Sequence, residues 1–494
     1  MPSAPLRSRL RSSLLAAALA PWLVTSTARA DEPDADLAPP ASSSVSMTTE
    51  ATAARPPVTL PPAGESVAWR DRAVHMRLPV GDVRLWPGGL LQLDARGAFG
   101  RGVSDVTGVD GPSLTPRLGV RRARLDLSGQ FRRAWSFYVS GDFAGTPHLE
   151  YAIIDVGFGD VGHLSIGRQL VPIGMANRTF EPAFVGFERP LAVRFAQPSD
   201  KDLGALAWGE LAGGILRAEL GVFGGDGGRS NVDRAVDAAA RLVVRPFLFT
   251  RSVVRHVQIG VSGSDGTRQA DRVNYAIAPV TTEGGFAFWR PGRTEAGQAL
   301  SVIPSGTQQV ADIELWAPIW RFDLRAEYLY SKRKTREAVA GQDDSAGSAR
   351  FGEIKGSSVY ASLGFWLLGS PAVLAAPGQF QPRHPAGAGP DGRGLLVVVR
   401  GELLDATYDP GSRAKAAGDT LDRRDIKARV LDAGLNYYAG QHAAVLAHYT
   451  YTQFPDSSVP ELAPTNLARS PGNLVGRSGA HQVHEVGARI QVSF

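Results

Sequence analysis

Cysteine is absent from the 494 residues, so the chain has no disulfide framework, no thiolate metal site and no lipoprotein anchor. Long hydrophobic runs are absent too: no stretch reaches about eighteen apolar residues, the length that indicates a membrane-spanning helix. The mean hydropathy is only −0.10. Catalytic patterns are also missing, because no Ser/His/Asp set and no pair of carboxylates stands out from the background. We therefore expect neither an enzyme nor a cofactor or metal site.

Two motifs could suggest a ligand, but both are better explained by strands. Gly157–Gly162 has the spacing GxGxxG, yet the next residues, His163–Leu170, alternate as a strand. A dinucleotide site needs a helix at that point, so the motif predicts a hairpin turn. His481 and His484 are three residues apart, which places them on opposite faces of a strand and excludes a shared metal ion.

Lysine is scarce, since arginine supplies most of the 53 basic residues. The first thirty residues hold four Arg and no acid, so without them the charge is 49 − 48 = +1. Bulk charge therefore gives no argument for an anionic partner, and no nucleic-acid partner is expected. Any preference for anions must come from the local placement of arginines.

The N-terminus has the three parts of a signal peptide. Arg7, Arg9 and Arg11 precede the short apolar segment Leu14–Val24, and Ala28-Arg29-Ala30 supplies a small-x-small cleavage site. We predict that residues 1–30 direct export and are cleaved after Ala30. Residues 31–86 are rich in Pro, Ala, Ser and Thr, a composition typical of a disordered extension or linker.

Alternating apolar and polar residues fill the chain from about residue 87 to residue 494. In one segment Leu125 and Leu127 share a face, and Arg122, Arg124 and Asp126 share the other. A sheet closed in lipid needs this pattern, with apolar side chains outside and polar ones inside. Fifteen to seventeen such segments occur. Because bacterial barrels have even strand numbers, we predict an all-β, transmembrane antiparallel β-barrel of about 16 strands.

Six short motifs between Arg117 and Gly225 carry a family resemblance. They are RRAR at Arg121–Arg124, DFAG at Asp142–Gly145, GRQ with PIG at Gly167–Gly174, FERP at Phe187–Pro190, DLG at Asp202–Gly204 and GVFGG at Gly221–Gly225. In this order they resemble the phosphate-selective porins, the O/P family of bacterial outer-membrane proteins. The resemblance implies a pore for phosphate or polyphosphate, an outer-membrane location with lipid around the barrel, and a homotrimer. The terminal strand, which ends in Phe494, resembles the signal read by the barrel-assembly machinery.

Arginines on the polar faces of the strands are the candidate anion pathway: Arg122, Arg124, Arg217, Arg241, Arg245 and Arg325. An arginine facing lipid at mid-membrane costs about 2–4 kcal/mol, which directs these side chains to the lumen. There they either pair with carboxylates or meet a passing anion, and the sequence leaves both alternatives open. If Arg124 only lines the pore, its replacement by Leu should change conductance without harming the barrel.

Residues 170–200 break the alternation and contain four prolines. In general porins the long third loop folds into the lumen, so by resemblance this segment is the constriction loop. Its Arg178, Arg189 and Arg194 would then bind oxyanions through their forked donors.

Three hypotheses follow from the sequence. The first is an outer-membrane porin that passes small anions such as phosphate; the resemblance implies Lys as well as Arg near the entrance, whereas this chain has only six Lys. The alternatives are a general non-selective porin and a structural or adhesive barrel with a plugged lumen. A soluble secreted β-sheet enzyme is the remaining class.

Overall fold

A computed structural model gives the fold. It describes residues 66–70, 73–78, 81–100, 103–104, 117–132, 134–159, 161–197, 199–228, 233–269, 273, 275–289, 293–295, 298–339, 351–369, 378, 393–411, 424–440, 442–455, 474–476 and 481–494. The predicted signal peptide and most of the predicted linker lie outside these residues.

Sixteen long strands form one sheet. They are β1 (Gly81–Phe99), β2 (Arg117–Phe131), β3 (Trp135–Asp142), β4 (His148–Gly157), β5 (His163–Leu170), β6 (Lys201–Leu211), β7 (Leu216–Phe223), β8 (Asp237–Val244), β9 (Gln258–Arg268), β10 (Gln298–Ile319), β11 (Phe322–Val339), β12 (Phe351–Leu368), β13 (Arg393–Asp409), β14 (Arg424–Ala439), β15 (Ala443–Gln453) and β16 (Gln482–Ser493).

The sheet closes on itself. Each strand pairs antiparallel with the next along the chain, and β16 returns to pair with β1 from His484 opposite Phe99 to Ser493 opposite Leu90. Closure satisfies the backbone hydrogen bonds of both end strands, which is what a sheet in lipid requires. The predicted 16-stranded antiparallel β-barrel is therefore confirmed. Within the described residues no helix is long and apolar enough to cross a membrane.

The predicted faces of the strands are confirmed as well. On β2, Leu125 and Leu127 are exposed on the outside, with Leu125 61% exposed, whereas Arg124 is only 3% exposed inside the barrel. The same division holds on β7, where Leu220 lies outside and Arg217 inside. Apolar side chains outside and charged side chains inside are the arrangement of a barrel in a bilayer.

Aromatic residues border the outer apolar band at both ends. Trp320, Phe322 and Phe365 group at one end, with ring centroids 5.0–6.3 Å apart. Tyr328 and Tyr330 stand on the same outer face of β11 toward the other end and are 48% and 40% exposed. Such girdles mark the two lipid–water boundaries of an outer-membrane barrel.

The barrel begins earlier than the sequence predicted. Strand β1 starts at Gly81 rather than near residue 87, and Ser66–Arg70 pairs with Ala73–Leu78, which extends the sheet from β1. Pro87 lies within β1 although it lacks the backbone N–H that a central strand residue normally donates. It stands two residues before Gly89, whose N–H and C=O bond to Phe494, the last residue of the chain. The pairing with β16 stops at Gly89, so an N–H at position 87 would find no acceptor there and its absence costs no hydrogen bond.

Short connections gather at one end of the barrel and long ones at the other. Five connections at the first end, including residues 158–162 and 320–321, have two to five residues. The GxGxxG motif consists of Gly157, at the end of β4, and residues 158–162. It forms the hairpin turn between β4 and β5 that the sequence predicted. Residues 245–257 and 369–392 are exceptions, two longer connections at the short-turn end. The opposite end carries residues 171–200 and 269–297, and parts of both enter the barrel.

Placing a charge on the outer face of β2 should hinder insertion in a depth-dependent way. We expect Leu125→Arg to cost about 2–4 kcal/mol because Leu125 lies well inside the apolar band. Leu118→Arg, near the long-loop end of the same strand, should cost about 0–1 kcal/mol. Heat-modifiable migration after folding into liposomes measures both. Equal folding yields would contradict the assigned faces and depth.

Candidate functional site in the barrel lumen

The third long loop, residues 171–200, lies inside the barrel. Nearly all of it is buried, including the short helix α1 (Leu191–Ala196). Its backbone bonds to inward-facing side chains from several strands. The N–H of Ala176 donates to Glu327 on β11 at 2.5 Å, that of Ala192 donates to Glu402 on β13 at 3.0 Å, and Asn436 on β14 donates to the carbonyl of Val185 at 2.7 Å. The loop is thus fastened to the wall across the lumen.

A second segment also enters the barrel, and sequence reasoning missed it. Phe286, Phe288 and Trp289 are at most 5% exposed and pack against inward-facing apolar residues of β13 and β14. Glu283, in the same segment, forms an ion pair with Arg400 of the wall. The sequence does contain a signal: Phe286–Trp289 is four consecutive apolar residues without alternation, directly after a polar stretch that ends at Gly285.

The predicted pore arginines face the lumen, but most of them are paired. Eight of the nine are in ion pairs: Arg122 with Glu188, Arg124 with Asp142, Glu150 and Glu181, Arg178 with Glu219, Arg189 with Asp200, Arg217 with Glu219, Arg241 with Glu314, Arg245 with Glu210 and Arg325 with Asp323. Arg194 instead donates to the carbonyl of Arg189 and to Thr281. Pairing is therefore the general condition, and an anion path must be sought where arginines outnumber their partners.

Glu188 of the loop is surrounded by four arginines, which we call the Glu188 cluster: Arg96, Arg121, Arg122 and Arg489, together with Asp94. Arg96, Arg121 and Arg489 each approach the Glu188 carboxylate at 2.7–2.8 Å. Arg122 lies 3.7 Å away. Asp94 binds Arg96 at 2.6 Å and Arg489 at 2.7 Å. The cluster joins the loop to β1, β2 and β16.

Arg121 belongs to this cluster only because of a β-bulge. Opposite β1, Gln92 pairs with Arg122 but the next residue, Leu93, pairs with Val120, so Arg121 is an extra residue on β2. A bulge re-aims a side chain that strict alternation would place on the other face. Arg121 and Arg122 consequently both reach Glu188. Alternation alone had assigned only Arg122 to the lumen.

Charge balance distinguishes the Glu188 cluster from its neighbours. It holds four arginines and two carboxylates, an excess of 4 − 2 = +2. The network around Glu181 holds three cations, Arg124, Arg189 and Lys201, against four carboxylates, or 3 − 4 = −1. The network around Glu219 gives 4 − 3 = +1. Among these networks of described residues, the Glu188 cluster has the largest surplus of cations.

Glu181 and Glu188 of the loop stay ionised at neutral pH. Burial by itself would raise the pKa of Glu188, but Arg121, Arg122, Arg489 and Arg96 outweigh it and hold that pKa well below the ordinary value. Burial likewise opposes the charge on Glu181, yet Arg124, Lys201 and Arg189 hold its pKa well below the ordinary value too. Each carboxylate therefore acts as a fixed anion under physiological conditions.

Phe187 completes the cluster from the apolar side. Its ring lies under the guanidinium carbons of Arg489 and Arg96, at 4.4 and 4.9 Å from the ring centroid. The ring fits because position 487 on β16 is glycine: a Cβ there would come within 2.8 Å of it. These contacts explain three residues of the FERP motif. Phe187 stacks on the arginines that Glu188 binds, and Arg189 forms a separate ion pair with Asp200 at 2.5 Å.

The described residues contain no group of three or more His, Asp or Glu side chains that could hold a metal ion. The charged groups that face the lumen in this part of the chain are mostly guanidinium groups and carboxylates, which attract or repel ions.

A sequence model of the family described as phosphate-selective porin O and P matches residues 95–461, more than half of the chain. The chain belongs to this family. Its family and its closed barrel are those of outer-membrane porins. No curated protein matches the chain in sequence.

Several solved structures resemble the fold. The outer-membrane-expressed OmpT of Vibrio cholerae has a TM-score of 0.48 and 10% identity, covering 83% of this chain and 98% of that one. An anion-selective porin from Comamonas acidovorans has a TM-score of 0.43 and 12% identity, covering 83% and 100%. The outer-membrane channel DcaP of Acinetobacter baumannii has a TM-score of 0.44 and 10% identity, covering 83% and 97%.

Proposed function

We propose that this porin passes small anions, with phosphate and related oxyanions as the preferred class. The observation that carries the proposal is the surplus of two positive charges in the Glu188 cluster. A surplus of cations in a narrow passage attracts anions and repels cations, because the low-dielectric wall screens charge poorly. Guanidinium forks also match the geometry of phosphate and carboxylate oxygens.

The passage runs on the β1–β2 side of the loop. The Arg121 side chain is 42% exposed and that of Arg96 is 20% exposed, so solvent reaches the cluster there. On the β11–β13 side, the cavity lined by Met175, Phe184, Tyr360 and Arg400 has a volume of only about 30 Å³, room for about two or three water molecules. Solutes that cross the barrel therefore meet Arg121 and Arg96 first.

Arg96→Gln combined with Arg121→Gln tests the proposal, because it removes the two exposed charges and brings the cluster excess to zero. We expect the reversal potential in a salt gradient to move from anion preference toward zero. The matched control, Arg251→Gln with Arg255→Gln, removes the same charge from exposed positions in the turn between β8 and β9. At about 1 M salt the screening length is about 3 Å, so this control should leave selectivity unchanged. An equal shift in both variants would refute a local site.

We also propose a location and partners, on the basis of the family and of the N-terminal sequence. We place the protein in the bacterial outer membrane as a homotrimer, surrounded by lipid, with residues 1–30 removed after Ala30. Assembly depends on the barrel-assembly machinery, which reads the terminal strand. Mass spectrometry of the mature N-terminus and chemical cross-linking of the purified protein test the processing site and the oligomer.

A second function is favoured by one observation, the filling of the lumen. Residues 171–200 and Phe286–Trp289 are both buried inside the barrel, as a plugged structural barrel would require. In that case the ion pairs serve stability and the wild-type protein shows no conductance in a planar bilayer.

A further inference from the structure

We propose that Glu188 is a resident counter-anion of the arginine cluster, which an entering oxyanion displaces, so that the pore favours anions with several acceptor oxygens over chloride. This inference rests on the proposed anion passage and adds the residue that sets its specificity.

The first support is the way the carboxylate is held. Arg121 donates to both of its oxygens, at 2.8 and 3.3 Å, while Arg96 and Arg489 donate to one of them at 2.7 and 2.8 Å. This is the forked recognition that arginines give to a bound carboxylate or phosphate. The side chain of Glu188 thus occupies a site whose donors match a free oxyanion.

The second support is the charge that remains. Even with Glu188 and Asp94 in place, the cluster keeps an excess of +2. Because the pKa of Glu188 lies well below its ordinary value, protonation does not vacate the site at neutral pH. Only another anion can take its place.

The third support is that Glu188 sits on the loop rather than on the wall. Its four arginine partners belong to β1, β2 and β16, whereas Glu188 lies in residues 171–200 and precedes helix α1. Side-chain rotation can therefore release the carboxylate without breaking strand pairing. A dianion offers several acceptor oxygens to the vacated donors, whereas chloride offers a single centre.

The test is the half-blocking concentration of phosphate, and separately of succinate, on chloride current through wild-type and Glu188→Gln channels. A tethered competitor acts at an effective concentration in the millimolar range, so its removal should lower the half-blocking concentration by about 10-fold or more. Glu188→Asp keeps the charge but shortens the reach; it should fall between the two. Because Glu188→Asp leaves the net charge of the cluster unchanged, any change in block by this variant reports how well the side chain occupies the site.

Glu210→Gln is the matched control. It removes one carboxylate at an exposed position of β6, outside the loop and the Glu188 cluster, where it pairs with Arg217 and Arg245, and block should stay at the wild-type value. Unchanged block in Glu188→Gln, or an equal change in Glu210→Gln, would overturn the inference while leaving anion passage intact. A cation-selective wild-type channel would instead refute the proposed function itself. Heat-modifiable migration confirms that each variant is folded.

Discussion

Arg124→Leu should cause the largest loss of stability of any single lumen substitution considered for this barrel. Arg124 donates to Asp142 at 3.3 Å, to Glu150 at 2.8 Å and to Glu181 at 2.9 Å, and it is 3% exposed. Removing one partner of a buried ion pair typically costs about 3–5 kcal/mol, because the remaining charge is left without compensation. Here three carboxylates lose their shared cation, and one of them holds the loop.

Urea unfolding of the protein in liposomes, followed by gel migration, measures this loss. Arg251→Leu, at an exposed arginine in the turn between β8 and β9, is the control and should change stability by no more than about 0.5 kcal/mol. If Arg124→Leu matched that control, the buried network would not anchor the loop. The expected damage reverses the sequence-based prediction that this substitution alters only conductance.

Deletion of Phe494 should give the largest loss of assembled protein. The N–H and C=O of Phe494 form two hydrogen bonds with Gly89 at 3.1 and 3.0 Å, the last pair that closes β16 on β1. Its ring covers Gly89, where a Cβ would lie 2.6 Å from the ring edge. Deletion removes this closing pair and also the terminal aromatic residue expected to direct assembly.

Two measurements separate those two effects. Folding yield of the purified chain in liposomes reports the closing contacts, and heat-modifiable protein in the outer-membrane fraction of cells reports assembly as well. We expect a moderate loss in liposomes and a larger one in cells. Phe494→Trp, which keeps an aromatic terminus, should assemble nearly as well as the wild type. Wild-type yield of the deletion in cells would show that the terminal residue is dispensable.

The β-barrel could be predicted from the sequence, because the alternation of apolar and polar residues along each strand is a local pattern. Alternation within β2 is enough to place Leu125 outside and Arg124 inside, and the requirement for an even strand number chooses 16. The start of β1 was missed because residues 31–86 were interpreted from their composition as a linker. The pairing of the first residues of β1 with Val74–Leu78 is visible only in the structure.

The Glu188 cluster could not be predicted in the same way, because the residues that pair within it are distant in the sequence. Arg489 and Glu188 are 301 residues apart, and no local pattern relates them. Arg121 was left out of the predicted lumen arginines, because one extra residue in β2 breaks the alternation. Alternation could say that the arginines face the lumen, but only the structure shows how many carboxylates face them there.

The central claim is that an excess of arginine around Glu188 makes this channel anion-selective. The most direct measurement is the reversal potential of the wild-type protein in a planar bilayer across a gradient of about 0.1 to 1 M KCl, which changes the screening length from about 10 to about 3 Å. The account predicts a conducting pore whose reversal potential has the sign of chloride permeation. A reversal potential with the sign of potassium permeation, or a membrane that stays silent with folded protein present, would contradict it.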